Sequence, residues 1–242
     1  MLLGTARRSR RTRRTAELLA EIAKYGTPTI KRAYGDWTTQ QLVGWKDQML
    51  RNAIQPIQQF AYTTGKNSTD SALIIDAMDL LYAGNVEGFV IVSSDSDFTR
   101  LATRLRESGM TVYGLGRRKT PEAFVSACDR FIYLDLLSHE PEPPAKSASK
   151  ADEAATPPPN LKQVLSTAIS STSKDDGWSN LGEVGSYLVK SHAAFDPRDY
   201  GHSKLGELVR AESYVEVKEE QGPTGPNQLW VRLKPTARRT AR

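Results

Sequence analysis

Two rhythms of apolar and polar positions alternate along the first 137 residues. "TAELLAEIAKYG" (15–26) has helical spacing and is closed by Gly26. "TPTIKRAYGDW" (27–37) reads as a strand and its exit, and "TQQLVGWKDQMLRNA" (39–53) as a helix. "IQPIQQFAY" (54–62) reads as a strand whose proline suits a sheet edge. In "STDSALIIDAMDLLYAG" (68–84), Leu73, Ile74, Ala77, Leu80 and Leu81 recur at helical spacing, ending at Gly84. "GFVIVSS" (88–94) is a short, fully apolar strand. "DFTRLATRLRES" (97–108) sets Phe98, Leu101, Ala102 and Leu105 on one helix face. "MTVYGLG" (110–116), "TPEAFVSACD" (120–129) and "RFIYLDLL" (130–137) then read as strand, short helix and strand. Buried strands alternating with helices predict an α/β fold, a parallel sheet covered on both faces by helices.

The rhythm stops at "SHEPEPPAKSASKADEAATPPPN" (138–160), which holds almost no large apolar residue and cannot bury enough surface to fold. Beyond it, three helical stripes follow: Leu161, Val164, Leu165 and Ala168; then Leu181, Val184 and Leu188; then Leu205, Leu208 and Val209. "YVEVKEE" and "QLWVRLK", joined by "QGPTGPN", read as a β-hairpin. Three helices and a hairpin are the outline of a small winged helix. The predicted organisation is an Arg-rich segment 1–14, an α/β domain 15–137, a linker 138–160, a winged-helix domain 161–234 and a basic tail 235–242.

Composition changes this picture little. The chain of 242 residues has room for one or two cored domains. No apolar run approaches the roughly 20 residues that span a bilayer, and no secretory signal pattern follows the basic start. The single cysteine, Cys128, allows neither an internal disulfide nor a cysteine-based zinc site, which fits a reducing cytoplasm. Charge matters more. "RRSRRTRR" (7–14) carries six arginines, and removing them from the net charge of +5 leaves −1. Attraction to nucleic acid must therefore come from local patches or from that run, not from an overall field.

The candidate chemistry lies where "GFVIVSS" meets Asp95 and Asp97. In open α/β sheets, ligands bind beyond the carboxyl ends of the strands. The helix before that strand runs antiparallel to it, so its first turn, carrying Asp70, reaches the same rim. Asp70, Asp95 and Asp97 are expected to converge although 25 residues separate the first two. Gathered carboxylates repel one another unless a cation joins them, and Mg²⁺ or Mn²⁺ suits oxygen donors. Such an ion polarises a phosphodiester and activates water. Structural readings stand beside this one. Asp70 fits a first-turn acid and Asp97 a helix cap, whereas Asp95 has no evident capping role. Asp76, six residues after Asp70 and about 120° round the helix, reads as a supporting or surface acid. Asp79 reads as solvated, and Asp129 as a turn residue.

The segments "GKNSTDSALIIDAMDLLYAG", "GFVIVSSDSDFTRLATRLRESGMTVYGLG" and "FVSACDRFIYLDLL" resemble the NYN family of PIN-like nucleases. The likeness covers about residues 15–137. It implies an Mg²⁺-dependent ribonuclease with Asp70, Asp95 and Asp97 at the family's acidic positions. The second module resembles the OST-HTH (LOTUS) domain, which implies RNA binding. The resemblance also implies a central first strand ending in an aspartate ligand. Here the chain has no acid before Glu17 and no early apolar run beyond Leu2–Leu3. The expectation is a sheet whose first strand is absent or altered, with exposed neighbouring edges. A misread start over residues 1–14 is one explanation, testable by sequencing the upstream DNA.

Several cations are candidates for nucleic-acid contact. Lys66 precedes Asp70, and Arg117, Arg118 and Lys119 follow "TVYGLG" at the same rim. His202 and Lys204 open the third helix of the second module, the element that often meets a ligand in winged helices. Each has a plain solvated reading too. Trp37 is expected to be a half-buried core residue, and Trp178 and Trp230 to pack the second core. Three dispersed histidines argue against a zinc site or a hydrolase triad. The function read from the sequence is a cytoplasmic, metal-dependent ribonuclease with an RNA-binding module, the alternative being an inactive RNA-binding scaffold. A phosphatase-like or nucleotide-binding domain is a further rival, and nucleotide binding is disfavoured because no Gly-rich phosphate loop is present. Homo-oligomerisation is left open.

Overall fold

A computed structural model describes residues 2–5, 15–60, 68–137, 158–220 and 227–234. The chain divides into two compact units, Met1–Thr156 and Pro157–Arg242. The arginine run, Lys66, most of the Pro/Ala-rich stretch and the basic tail lie outside the described residues.

The first unit is built on six strands: β1 (Leu2–Thr5), β2 (Lys31–Gly35), β3 (Gln55–Gln58), β4 (Gly88–Val92), β5 (Thr111–Gly116) and β6 (Arg130–Tyr133). Its helices are α1 (Thr15–Ile22), α2 (Lys46–Arg51), α3 (Ser68–Ala83), α4 (Thr99–Glu107) and α5 (Glu122–Ser126). The strand order is β3-β2-β1-β4-β5-β6, and every neighbouring pair is parallel. The apolar run of β4 is buried because a parallel sheet has helices on both faces. Pro56 falls in β3, the edge strand, where its missing N–H faces no further partner.

The expected missing strand is corrected here. Leu2–Thr5 forms the central strand, pairing with β2 on one side and β4 on the other. The strand is altered rather than absent: it has four residues and no acid. A second difference concerns residues 39–53. Instead of one helix, a 3-10 segment (Gln40–Trp45) precedes α2. Gly44 in mid-segment weakens α-helix there.

Two contacts fix the rim that carries the acids. Asp70, Leu73, Ala77 and Leu80 are buried along one face of α3, so the apolar stripe itself carries Asp70 inward. Lower on the helix, Asp76 accepts hydrogen bonds from the guanidinium of Arg32 and the hydroxyl of Tyr34. Arg32 and Tyr34 alternate along β2 and so share one face of the sheet. Burial, reinforced by the carboxylate of Asp76, pushes the Tyr34 hydroxyl well above its ordinary pKa and keeps it a donor. Trp37 packs with Ala33, Met49 and Ile54 and donates Nε1–H to the carbonyl of Ile57 at 2.9 Å, a core role as expected.

The second unit contains α6 (Leu161–Thr172), β7 (Ser179–Asn180), α7 (Leu181–Ser191), α8 (Leu205–Ala211), β8 (Val215–Glu220) and β9 (Gln228–Leu233). These are the three helices and hairpin expected, with the two-residue β7 added to give an antiparallel sheet of order β7-β9-β8. Val164, Leu165, Ala168, Val184, Leu188, Leu208, Val209 and Val231 form its core. Trp178 and Trp230 do not belong to that core, which corrects the sequence reading.

Candidate metal centre

The sheet order reverses direction between β1 and β4. The chain builds outward from β1 through β2 to β3, then crosses to β4 and builds outward again to β6. At such a switch point the loops after the two central strands diverge and leave a crevice beyond their carboxyl ends. Asp95 and Asp97 follow β4 into that crevice. Asp70 enters from the first turn of α3, which packs on β1 and β2. One oxygen from each of Asp70, Asp95 and Asp97 lies within 4.8 Å of the others. Among the described residues this is the one acid and histidine grouping that could hold an ion.

Their surroundings differ. Asp70 is 3% exposed, at a helix N-terminus whose dipole favours its negative charge. Asp95 is half-buried and Asp97 is exposed. Asp95 does have a capping role, against the sequence reading. It is the N-cap of the 3-10 turn Ser96–Phe98, and its Oδ1 accepts from the amide of Asp97 at 3.2 Å. A carboxylate offers about four lone-pair sites, so one capping bond leaves capacity for a cation.

Neighbouring side chains hold the loop. The hydroxyl of buried Ser93 accepts from the Asp95 amide at 3.2 Å. Ser94 Oγ accepts from the Arg117 amide at 2.8 Å, tying the acidic loop to the loop after β5. Gly116 makes that approach feasible, since a Cβ there would stand 2.5 Å from the carbonyl of Ser93 and 2.6 Å from Thr120 Oγ1. Thr120 in turn donates to the carbonyl of Arg117 at 2.6 Å.

An NYN domain family model matches residues 5–135, more than half of the chain. The chain belongs to the NYN family. An OST-HTH/LOTUS domain model matches residues 155–226 behind the NYN domain. A solution structure of an uncharacterized Nitrosomonas europaea protein is 32% identical, covering 40% of this chain and 98% of that one, with a TM-score of 0.32. A crystal structure of a Vibrio parahaemolyticus protein of unknown function is 16% identical, covering 55% and 90%, with a TM-score of 0.45. A solution structure of residues 175–257 of a Chromobacterium violaceum protein is 31% identical, covering 34% and 87%, with a TM-score of 0.29. No curated protein matches.

Within the NYN unit, Arg117, Arg118 and Lys119 lie on the loop after β5, at the acidic rim. Arg117 and Arg118 are half-buried and Lys119 is exposed. Arg118 stacks its guanidinium 5.0 Å from the ring centre of Tyr133 and donates its amide to Asp135 at 3.3 Å. In the OST-HTH unit, His202 is half-buried and Lys204 exposed at the start of α8, far along the chain from the tryptophans noted above. Sequence reasoning missed the Arg32–Asp76–Tyr34 contact and the Ser94–Arg117 link, because both join strands distant in the chain.

Proposed function

We propose that the NYN unit hydrolyses phosphodiester bonds in RNA using a divalent cation, Mg²⁺ or Mn²⁺, held by Asp70, Asp95 and Asp97, while the OST-HTH unit retains RNA. The observation that carries this reading is the convergence of three carboxylates at the switch point of the sheet, within 4.8 Å. The donor set fits the ion. Three carboxylate oxygens are hard ligands, whereas zinc and softer metals favour nitrogen and sulfur. A divalent ion, when bound, supplies Lewis-acid polarisation of a phosphoryl oxygen and a lowered pKa for water. Buried Asp70 and capped Asp95 are the fixed donors. Exposed Asp97 completes the set or accepts the proton of the attacking water. Arg117, Arg118, Lys119 and Lys66 are assigned to the backbone phosphates, as cations at the rim. His202 and Lys204 are assigned to RNA contact on the OST-HTH unit. A cytoplasmic location accords with this chemistry.

A second reading has one specific observation behind it. Residues 1–16 contain no acid, so β1 brings no carboxylate to the crevice it lines. With one donor fewer, the chain would retain RNA without cutting it. Cleavage of labelled single-stranded RNA with Mg²⁺ or Mn²⁺, by wild type and by Asp95→Asn, separates the two. Metal-dependent cleavage that Asp95→Asn reduces a hundredfold or more supports the nuclease. Equal cleavage by both proteins rejects it, and retention without cleavage establishes the scaffold.

A further inference from the structure

The hairpin of the second unit sorts its side chains by parity. In β8 and β9 the odd-numbered Val215, Val217, Val231 and Leu233 pack on the core. The even-numbered Lys218, Trp230 and Arg232 therefore point to the opposite face. Trp178, two residues before Asn180 of β7, shares that parity, and Asn180 stands opposite Trp230, which stands opposite Lys218. Both tryptophans are only half-buried. In a small unit with few large apolar residues, leaving two indoles outside the core calls for a purpose, because each forgoes substantial burial.

Cations surround these rings. Lys218 Nζ lies 4.4 Å from the ring centre of Trp178 and 5.9 Å from that of Trp230. The Arg232 guanidinium lies 4.6 Å from Trp178, and Lys174 Nζ 4.6 Å from Trp230. Lys174 is brought there by a tight turn: its carbonyl accepts from Gly177 at 2.8 Å and its amide donates to the carbonyl of Trp178 at 3.0 Å. Gly177 supplies the left-handed backbone, φ 77°, that this turn requires. Two acids share the face. Glu220 meets Lys218 at 2.6 Å and Glu216 meets Arg232 at 2.8 Å. All four partners are at least a third exposed, so these ion pairs hold the cations weakly and a phosphate can replace them.

We propose that this outer sheet face binds single-stranded RNA, with bases stacked on Trp178 and Trp230 and phosphates on Lys174, Lys218 and Arg232. The proposal rests on the reading that the OST-HTH unit retains RNA, and it moves the principal contact from the start of α8 to the sheet. Flat indole faces accept unstacked bases of any sequence, and interleaved cations follow the backbone. A base-paired helix presents no free base face to them, so single strands are preferred.

The test is binding of a fluorescent single-stranded RNA to the full chain, without divalent ions so that the NYN crevice contributes no metal contact. Trp178→Ala with Trp230→Ala should weaken binding about tenfold or more. Phenylalanine at both positions should retain affinity within about threefold. Lys174→Gln with Lys218→Gln keeps both indoles and should lower the slope of log affinity against log salt by about one. That pair keeps the proposal testable if the alanine pair unfolds the unit, which a melting curve reveals. Unchanged affinity in the alanine pair together with an unchanged salt slope overturns the proposal and points to a protein partner for this face. No affinity in the wild type rejects RNA retention by this unit altogether. Loss of binding on His202→Ala with Lys204→Ala, with the tryptophan pair silent, returns the contact to α8 and equally overturns it.

Discussion

At the amino-terminal rim of the six-stranded sheet, Asp129 accepts from Arg106 Nε at 2.9 Å and from the amide of Val112 at 2.8 Å. At the carboxyl-terminal rim, Asp70, Asp95 and Asp97 gather their oxygens within 4.8 Å of one another. Along the sheet between them, Asp76 meets Arg32 and Tyr34. The same residue type thus does two jobs in one unit. Where an acid is set against donors belonging to the fold, it ties strands and helices together. Where acids are set against acids, the fold bears a repulsion that only a bound cation relieves.

Adding the ion should give the largest separation between the rims. A ligand that binds only the folded state at a hundred times its dissociation constant stabilises by about 2.7 kcal/mol. Mn²⁺ or Mg²⁺ at that concentration should raise the unfolding free energy of the first unit by this amount, followed by urea denaturation. The gain should vanish in Asp70→Asn with Asp95→Asn and persist in Asp129→Asn. An equal response in all three proteins would place the ion somewhere other than the switch point.

How far the sequence foretold these rims can be argued from single residues. Asp70 and Asp95 were legible together because topology alone turns the first end of α3 and the last end of β4 to the same side. The apolar stripe of α3 carried Asp70 with it. β1 was not legible, since "LLGT" is too short to show alternation, and its strand form comes from the hydrogen-bonding edges that β2 and β4 offer on both sides. The role of Asp76 was hidden for a related reason: its partners lie 44 and 42 residues earlier, where no local pattern reports them. The outer tryptophans were legible and misread. "QLWVRL" alternates Leu229, Val231 and Leu233 with Trp230 and Arg232, and in a half-buried hairpin only one of those sets faces the core.

The next effect in size concerns the acid between the rims. Asp76→Ala removes the acceptor of Tyr34, which is fully buried, and the partner of Arg32. A buried hydroxyl left without an acceptor loses its solvation with nothing in return. Destabilisation of about 2 kcal/mol is expected, read from the urea midpoint. Tyr34→Phe in the same background should recover part of it by removing the stranded hydroxyl. No recovery would mean that Arg32, not Tyr34, bears the loss.

The smallest effect is the most discriminating, because its sign depends on the ion. Asp97 is exposed, and the hydrogen bond it gives Asp95 comes from its backbone amide, which Asp97→Asn retains. Without metal, the substitution removes one charge from a cluster of like charges, so stability should rise by a few tenths of a kcal/mol. Salt should erase that gain, since exposed charges are screened over about 10 Å at 0.1 M. With Mn²⁺ present the donor set is one oxygen poorer, and the same substitution should lower both stability and metal affinity. An acid that merely supports the turn would behave otherwise. Asn would then destabilise the protein whether or not the ion is present, and the reversal of sign, measured in one pair of denaturation curves, would not occur.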